Sequence, residues 1–187
     1  MVKKISSCVF ISGTGSNLLA LIKSSQNNNF PLKIDLVISN KKDAHGLVYA
    51  KRFNIPFKVY NSSKQKNFER LALEVIKKRK IKFLCFAGYM KIISPAFIKS
   101  FNNKIVNIHP SLLPKYKGLN THKKVLLNKE KYSGCTVHYV TSNLDSGKII
   151  LQKKVRLKNN ETENTLQKRI LLLEHKLYSK AIYLIFK

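Results

Sequence analysis

The sequence predicts an α/β protein: an open, mostly parallel sheet with helices on both faces. Two features lead there. Short apolar runs rich in β-branched and aromatic residues alternate with longer runs of helical periodicity. The first short run also stops at a glycine-containing turn, Gly13-Thr14-Gly15, from which a helical pattern starts. Strand and helix in alternation imply βαβ crossovers, and these place helices on either face of a parallel sheet.

In chain order the predicted strands are Ile5 to Ser12, Lys33 to Ser39, Phe57 to Tyr60, Phe83 to Ala87 and Ile105 to Ile108. Between them the spacing predicts helices over Ser16 to Ser25, Ala44 to Phe53, Asn67 to Arg79 and Pro95 to Phe101. After His109 the rhythm changes. A loop with Pro110, Pro114 and Gly118 leads to a short helix near His122 to Leu127 and two strand-like runs, Gly134 to Val140 and Ile149 to Leu157. A final helix is marked by Leu166, Ile170, Leu173, Leu177, Ala181 and Leu184 at spacings of three and four, a stripe expected to lie on the sheet. No repeat, low-complexity linker or domain boundary interrupts this order, so residues 1–187 are expected to form one domain, a size for which 44% apolar content fills a single core.

Composition excludes several classes. Cys8, Cys85 and Cys135 are odd in number, form no C-x-x-C pair and sit in strand-like runs, which predicts reduced core thiols in a reducing, cytoplasmic compartment. The apolar start is broken by Ser6, Ser7, Ser12 and Gly13 before a signal-peptide core can form. No run of eighteen apolar residues exists to span a membrane. The formal charge of +27 suggests a polyanion partner, but the lysines are scattered along every segment with no Arg-rich or aromatic-interleaved block. A solvated lysine-rich surface, without a specific nucleic-acid partner, is the expectation.

Three places carry chemistry. The turn at Gly13-Thr14-Gly15-Ser16-Asn17 exposes backbone N–H groups at a helix start, where a phosphate can be held; Leu18 replaces the third glycine of a dinucleotide fingerprint, so a monophosphate fits better. A plain strand-to-helix turn is the alternative. Asn107 and His109 end a predicted central strand and point to the same side, so a carboxamide and an imidazole converge before the stiff segment His109 to Pro114. Asp145 stands in a loop between the last two strands, either as a turn residue or beside His109, whose pKa it would raise. His45, His109, His122, His138 and His175 show no metal-ligand spacing, and no metal is expected.

These residues resemble the phosphoribosylglycinamide formyltransferase family. The likeness is carried by Gly13-x-Gly15-Ser16-Asn17, by Gly88 to Pro95, by Asn107 through His122, by Val137 to Val140 with Leu144 to Gly147, and by Glu174-His175, in order over residues 5 to 180. The stretch from His109 to His122 is long enough to be specific. The resemblance implies a Rossmann-like formyltransferase fold and transfer of a formyl group from 10-formyltetrahydrofolate to the amine of glycinamide ribonucleotide in purine biosynthesis, without a metal. It implies Asn107, His109 and Asp145 as the catalytic trio and Gly15, Ser16, Asn17 and Glu174 as substrate contacts. It also implies a folate pocket of Met90, Lys91, Ile92 and Ile93, with Asn107 and Thr141, Ser142, Asn143, Leu144 and Asp145. The partners implied are these two small molecules, with no membrane.

The sequence departs from the family in three ways. Lys91 stands where Arg is common, Lys64, Gln65 and Lys66 offer no Arg for the folate's glutamate tail, and a C-terminal extension carried by many members is missing after Lys187. Other readings are methionyl-tRNA formyltransferase, which shares the His-x-Ser-Leu-Leu-Pro core but normally carries a further tRNA-binding domain, and formyltetrahydrofolate hydrolase, usually with a regulatory domain. A non-catalytic polyanion-binding relative of the fold is the reading from another class.

Overall fold

β1 (Ile5–Ile11) is the strand around which the first half of the chain is built, five of its seven residues buried. In the computed structural model, which describes residues 3–62 and 64–187, the elements follow as α1 (Ser16–Ser25), β2 (Leu32–Ser39), α2 (Gly46–Arg52), β3 (Phe57–Val59), α3 (Gln65–Lys78), β4 (Phe83–Phe86) and α4 (Pro95–Phe101). Then come β5 (Lys104–His109), α5 (Thr121–Leu127), β6 (Tyr132–Tyr139), β7 (Ile149–Arg156) and α6 (Glu163–Ile185). The strands form a seven-stranded sheet in the order β3-β2-β1-β4-β5-β6-β7. β1 pairs in parallel with β2 and β4, and β2 with β3; β6 and β7 are antiparallel. The mostly parallel α/β sheet expected from the alternation of strands and helices is therefore present.

The chain divides into two compact units, Met1–Val106 and Asn107–Lys187. In the first, strand order reverses between β1 and β4, because the chain steps outward through β2 and β3 and returns on the other side of β1. Loops at the carboxyl ends of strands flanking such a reversal are where open α/β sheets take ligands. The core beside it is aromatic. Phe10 stacks on Phe86 with ring centroids 5.3 Å apart and meets Phe68, Tyr89 and Phe97 edge-on.

In the second unit α6 packs on β6 and β7. A capping box between Thr162 and Thr165 starts this helix by satisfying two N–H groups that the helix leaves open. Its buried face corrects the expected stripe. Glu174, Tyr178 and Ile182 are buried with Leu166, Ile170, Leu177 and Ala181, whereas Leu184 is 45% exposed and Leu173 only half-buried. At 3.6 residues per turn the steps 166, 170, 174 and 178 stay on one side, and the polar Glu174 hid that step from a search for apolar residues. Gly134, expected to open its strand, lies inside β6, at a place where a side chain would come within 2.1 Å of the Lys153 carbonyl and strike Leu112, so that only glycine fits. Cys8, Cys85 and Cys135 are buried thiols, none in a disulfide. Among the described residues no helix is long and apolar enough to cross a membrane.

Candidate active site

In the first unit, two loops leave the carboxyl ends of β1 and β4 and are tied together by Ser12. Its N–H donates to the Gly88 carbonyl at 3.1 Å, its hydroxyl donates to Asn40 Oδ1 at 2.7 Å, and its Oγ accepts the Met90 N–H at 2.9 Å. The turn beyond it requires glycine. Gly15 has φ 75°, and a Cβ there would lie 2.3 Å from Cα of Gly46, so α1 and α2 start in backbone contact. Ser16 and Asn17 follow at the start of α1, half-buried and buried. In the other loop Ile93 is buried, while Met90, Lys91 and Ile92 are exposed, Met90 by 59% and Ile92 by 65%.

The second unit brings Asn107, His109 and Asp145 into one cluster, together with His138. Asn107 and His109 lie two residues apart at the end of β5, the same-side spacing of a strand. Asn107 Nδ2 is 3.2 Å from His138 Nε2, and Asp145 reaches His109 Nδ1 at 3.4 Å through Oδ2 and His138 Nε2 at 3.6 Å through Oδ1. The Gly118 N–H donates to Asp145 Oδ2 at 2.9 Å. His109 Nε2 lies 2.9 Å from the Tyr116 carbonyl and His138 Nδ1 2.9 Å from that of Tyr139. A carbonyl only accepts, so these two ring nitrogens carry protons. With the proton on Nδ1, His138 Nε2 accepts from the Asn107 amide, and Asp145 Oδ1 lies beside it.

The loop after His109 is stiffened from below. Buried Thr136 donates to the Ser111 carbonyl at 2.6 Å and accepts the Leu113 N–H at 3.2 Å, and Gln152 Nε2 donates to Thr136 Oγ1 and to the Leu113 carbonyl. Ser111 Oγ closes the loop on the Lys115 carbonyl at 2.7 Å. This ring of bonds fixes the Tyr116 carbonyl that holds His109.

Burial sets the electrostatics. His109 is 5% exposed and titrates below an ordinary histidine, because losing water disfavours the imidazolium more than the Tyr116 carbonyl and the Asp145 carboxylate favour it; His138 and Lys124 push the same way as burial. The upward shift expected from Asp145 alone is corrected: the pull exists, and desolvation exceeds it. Burial raises the Asp145 carboxyl, but His138, the Gly118 N–H and His109 together bring it below the usual carboxylate value. Asp145 also sits at φ 45°, a left-handed conformation that turns its carboxylate inward while Thr141, Ser142, Asn143 and Leu144 stay exposed.

Glu174 is buried on α6, close enough to β6 for its charge to help desolvation push the Cys135 thiol up to about 12. Two participants escaped sequence reasoning. His138 entered only as lacking metal spacing and as part of the Val137 to Val140 likeness, with no role given to it, though its place in a buried run of β6 was available; the Tyr116 carbonyl, being backbone, leaves no residue signal at all. Among the described residues no group of three or more His, Cys, Asp or Glu side chains is arranged to hold a metal ion.

Residues 5–182 match the family model described as formyl transferase. The chain belongs to the formyl transferase family. It is 39% identical over 184 residues to the phosphoribosylglycinamide formyltransferase of Haemophilus influenzae, covering 97% of this chain and 86% of that one. It is 44% identical over 186 residues to the human trifunctional purine biosynthetic protein adenosine-3, covering 98% of this chain. The chain spans only 18% of that protein's length. The crystal structure of phosphoribosylglycinamide formyltransferase from Anaplasma phagocytophilum superposes with TM-score 0.90 at 39% identity, over 98% of this chain and 87% of that one. The family resemblance read from its motifs holds over nearly its whole length.

Proposed function

We propose that this chain transfers the formyl group of 10-formyltetrahydrofolate to the amine of glycinamide ribonucleotide, a step of purine biosynthesis in the cytoplasm. The observation that carries the reading is the cluster of half-buried Asn107 with His109 and Asp145, the trio that the family resemblance assigns to catalysis. The substrate amine, once neutral, attacks the formyl carbon, and the carbonyl electron pair moves to oxygen. The resulting tetrahedral intermediate collapses by expelling the folate nitrogen, which gains a proton as the amine loses one. The second N–H of the Asn107 amide can donate to the negative oxygen where it develops, and protonated His109, its own N–H groups held by Tyr116 and Asp145, stabilises that oxygen through its charge. Asp145 holds the imidazole and favours its charged form, and proximity of that oxyanion supplies the rest of the upward pull that burial opposes.

In this reading Gly15, Ser16 and Asn17 hold the substrate phosphate with backbone N–H groups and hydroxyl at the start of α1. Glu174 holds its sugar. Met90, Lys91, Ile92 and Ile93, with Asn107 and Thr141 to Asp145, receive the folate; exposed Met90 and Ile92 are apolar groups that the core does not use. Three buried thiols fit a reducing compartment. The test is to incubate the purified protein with glycinamide ribonucleotide and 10-formyltetrahydrofolate and follow loss of the formyl group, with water alone and methionyl-tRNA in parallel. Formyl loss that requires the ribonucleotide supports the reading; equal loss in water, or transfer only to the tRNA, overturns it.

A further inference from the structure

The loop that presents Met90, Lys91 and Ile92 is fastened at two points. At the front, Ser12 binds Gly88 and Met90. At the back stands Glu69 of α3, a carboxylate only 7% exposed. It accepts the Ser94 N–H at 2.8 Å on one oxygen and the Ser94 hydroxyl at 2.5 Å on the other, and Gln65 Nε2 approaches the first at 3.3 Å. Ser94 Oγ also accepts the Phe97 N–H as the cap of α4, so its single proton is committed to Glu69. Gln65 donates in addition to the Tyr89 hydroxyl at 3.1 Å, and the Tyr89 ring stacks on Phe68 with centroids 5.5 Å apart. Between the fastenings Ile93 turns into the core, while Lys91 and Ile92 stay exposed, as Met90 does at the front.

Burying a carboxylate against neutral donors is an expensive way to join two helices. An apolar pair of similar volume packs α3 on α4 without the desolvation cost. What the carboxylate adds is direction: two oxygens meeting the N–H and O–H of one residue fix both the backbone and the side chain of Ser94, and with them the exit angle of the loop. We propose that Glu69 is a positioning residue for the formyl donor, setting through Ser94 the conformation in which residues 90–92 receive the folate. The proposal rests on the assignment of this loop to the folate given above.

The test measures both Michaelis constants, kcat and the melting temperature of the full chain for Glu69→Gln, Ser94→Ala and the double variant. Glu69→Gln keeps the volume but cannot accept on both arms. It should raise the constant for 10-formyltetrahydrofolate about tenfold, the scale of one charge-assisted hydrogen bond, and leave that for the ribonucleotide within about twofold. In the Ser94→Ala background its effect should largely vanish, because the shared contact is already gone. Equal rises in both constants, additive effects of the two substitutions, or a lower melting temperature with unchanged constants each overturn the proposal. If Glu69→Gln does not fold, Ser94→Ala alone must show the same selective rise or the proposal falls. Ile92→Asp separates the premise from the inference: if it leaves the donor constant unchanged, the folate assignment of the loop has failed and the role of Glu69 with it. If it raises that constant while Glu69→Gln does not, only the role of Glu69 is wrong.

Discussion

Asp145 holds a carboxylate oxygen 3.4 Å from Nδ1 of His109, yet the imidazole is biased toward its neutral form because both groups are nearly out of water. The carboxylate therefore works against burial. Asp145→Asn keeps the shape, and its amide oxygen can still accept from Gly118, so it removes charge with little change of fold. Turnover should fall by roughly a hundredfold, within the range of positioned acid catalysis. The limb of the pH–rate profile on which activity falls with rising pH reports protonated His109, and it should move to lower pH in the variant. Near-normal turnover with an unmoved profile between pH 5 and 8 would reduce Asp145 to a turn residue.

Stability should fall on mild acidification. His109, His122 and His175 all titrate below the ordinary histidine value, in each case first because of burial. Between their folded values and about 6.5 the unfolded chain binds more protons than the folded one, so the stability they contribute is complete above about pH 6.5 and is lost as pH falls below it. Asp145 and Glu161 titrate low in the folded protein, and their contribution disappears only at more acidic pH. Denaturant titrations from pH 8 to 4 should show a first decline starting near pH 6.5, and His175→Gln should flatten part of it. A flat profile down to pH 5 would contradict this.

The contact between Gly15 and Gly46 changes how the phosphate site can be tested. Gly15→Val, a natural choice for blocking the turn, drives its side chain into the backbone of Gly46 at a positive φ and should lower the melting temperature before it says anything about substrate. Ser16→Ala leaves that packing intact. It should raise the Michaelis constant for the ribonucleotide about tenfold with little effect on the folate, as loss of one hydrogen bond to a charged group does. Equal effects on both constants would move the phosphate elsewhere.

Thr136 tests whether the loop after His109 must be rigid. Thr136→Val is nearly isosteric but abolishes three hydrogen bonds, two of them buried, leaving the Leu113 N–H and Ser111 carbonyl without that partner. The cost should be about 2 kcal/mol in denaturant unfolding, together with a drop in kcat, because the Tyr116 carbonyl that orients His109 loses its support. Loss of stability with full kcat would show the loop to be structural only.

The sheet and its helices were legible because their signals are local: β1 and α1 through α4 fall within a few residues of the elements read from periodicity. That Asn107, His109 and Asp145 come together was foreshadowed by strand alternation and motif resemblance. What could not be read depends on through-space sums. The direction of the His109 shift required knowing that desolvation exceeds a carboxylate 3.4 Å away. Glu69 looks in sequence like any polar residue of an amphipathic helix, and only the approach of Ser94, twenty-five residues later, makes it an anchor.

At position 145 the backbone and the chemistry ask for different residues. The φ of 45° suits glycine first and asparagine or aspartate after it, and a β-carboxylate there is stabilising only while it is ionised beside the two imidazoles and the Gly118 N–H. Selection for heat resistance at a pH acid enough to protonate Asp145, where its charge no longer contributes to stability, should therefore drift this position toward Gly or Asn, and selection for turnover should restore Asp. A library sorted under each pressure would record, at a single codon, the opposing demands of durability and reaction.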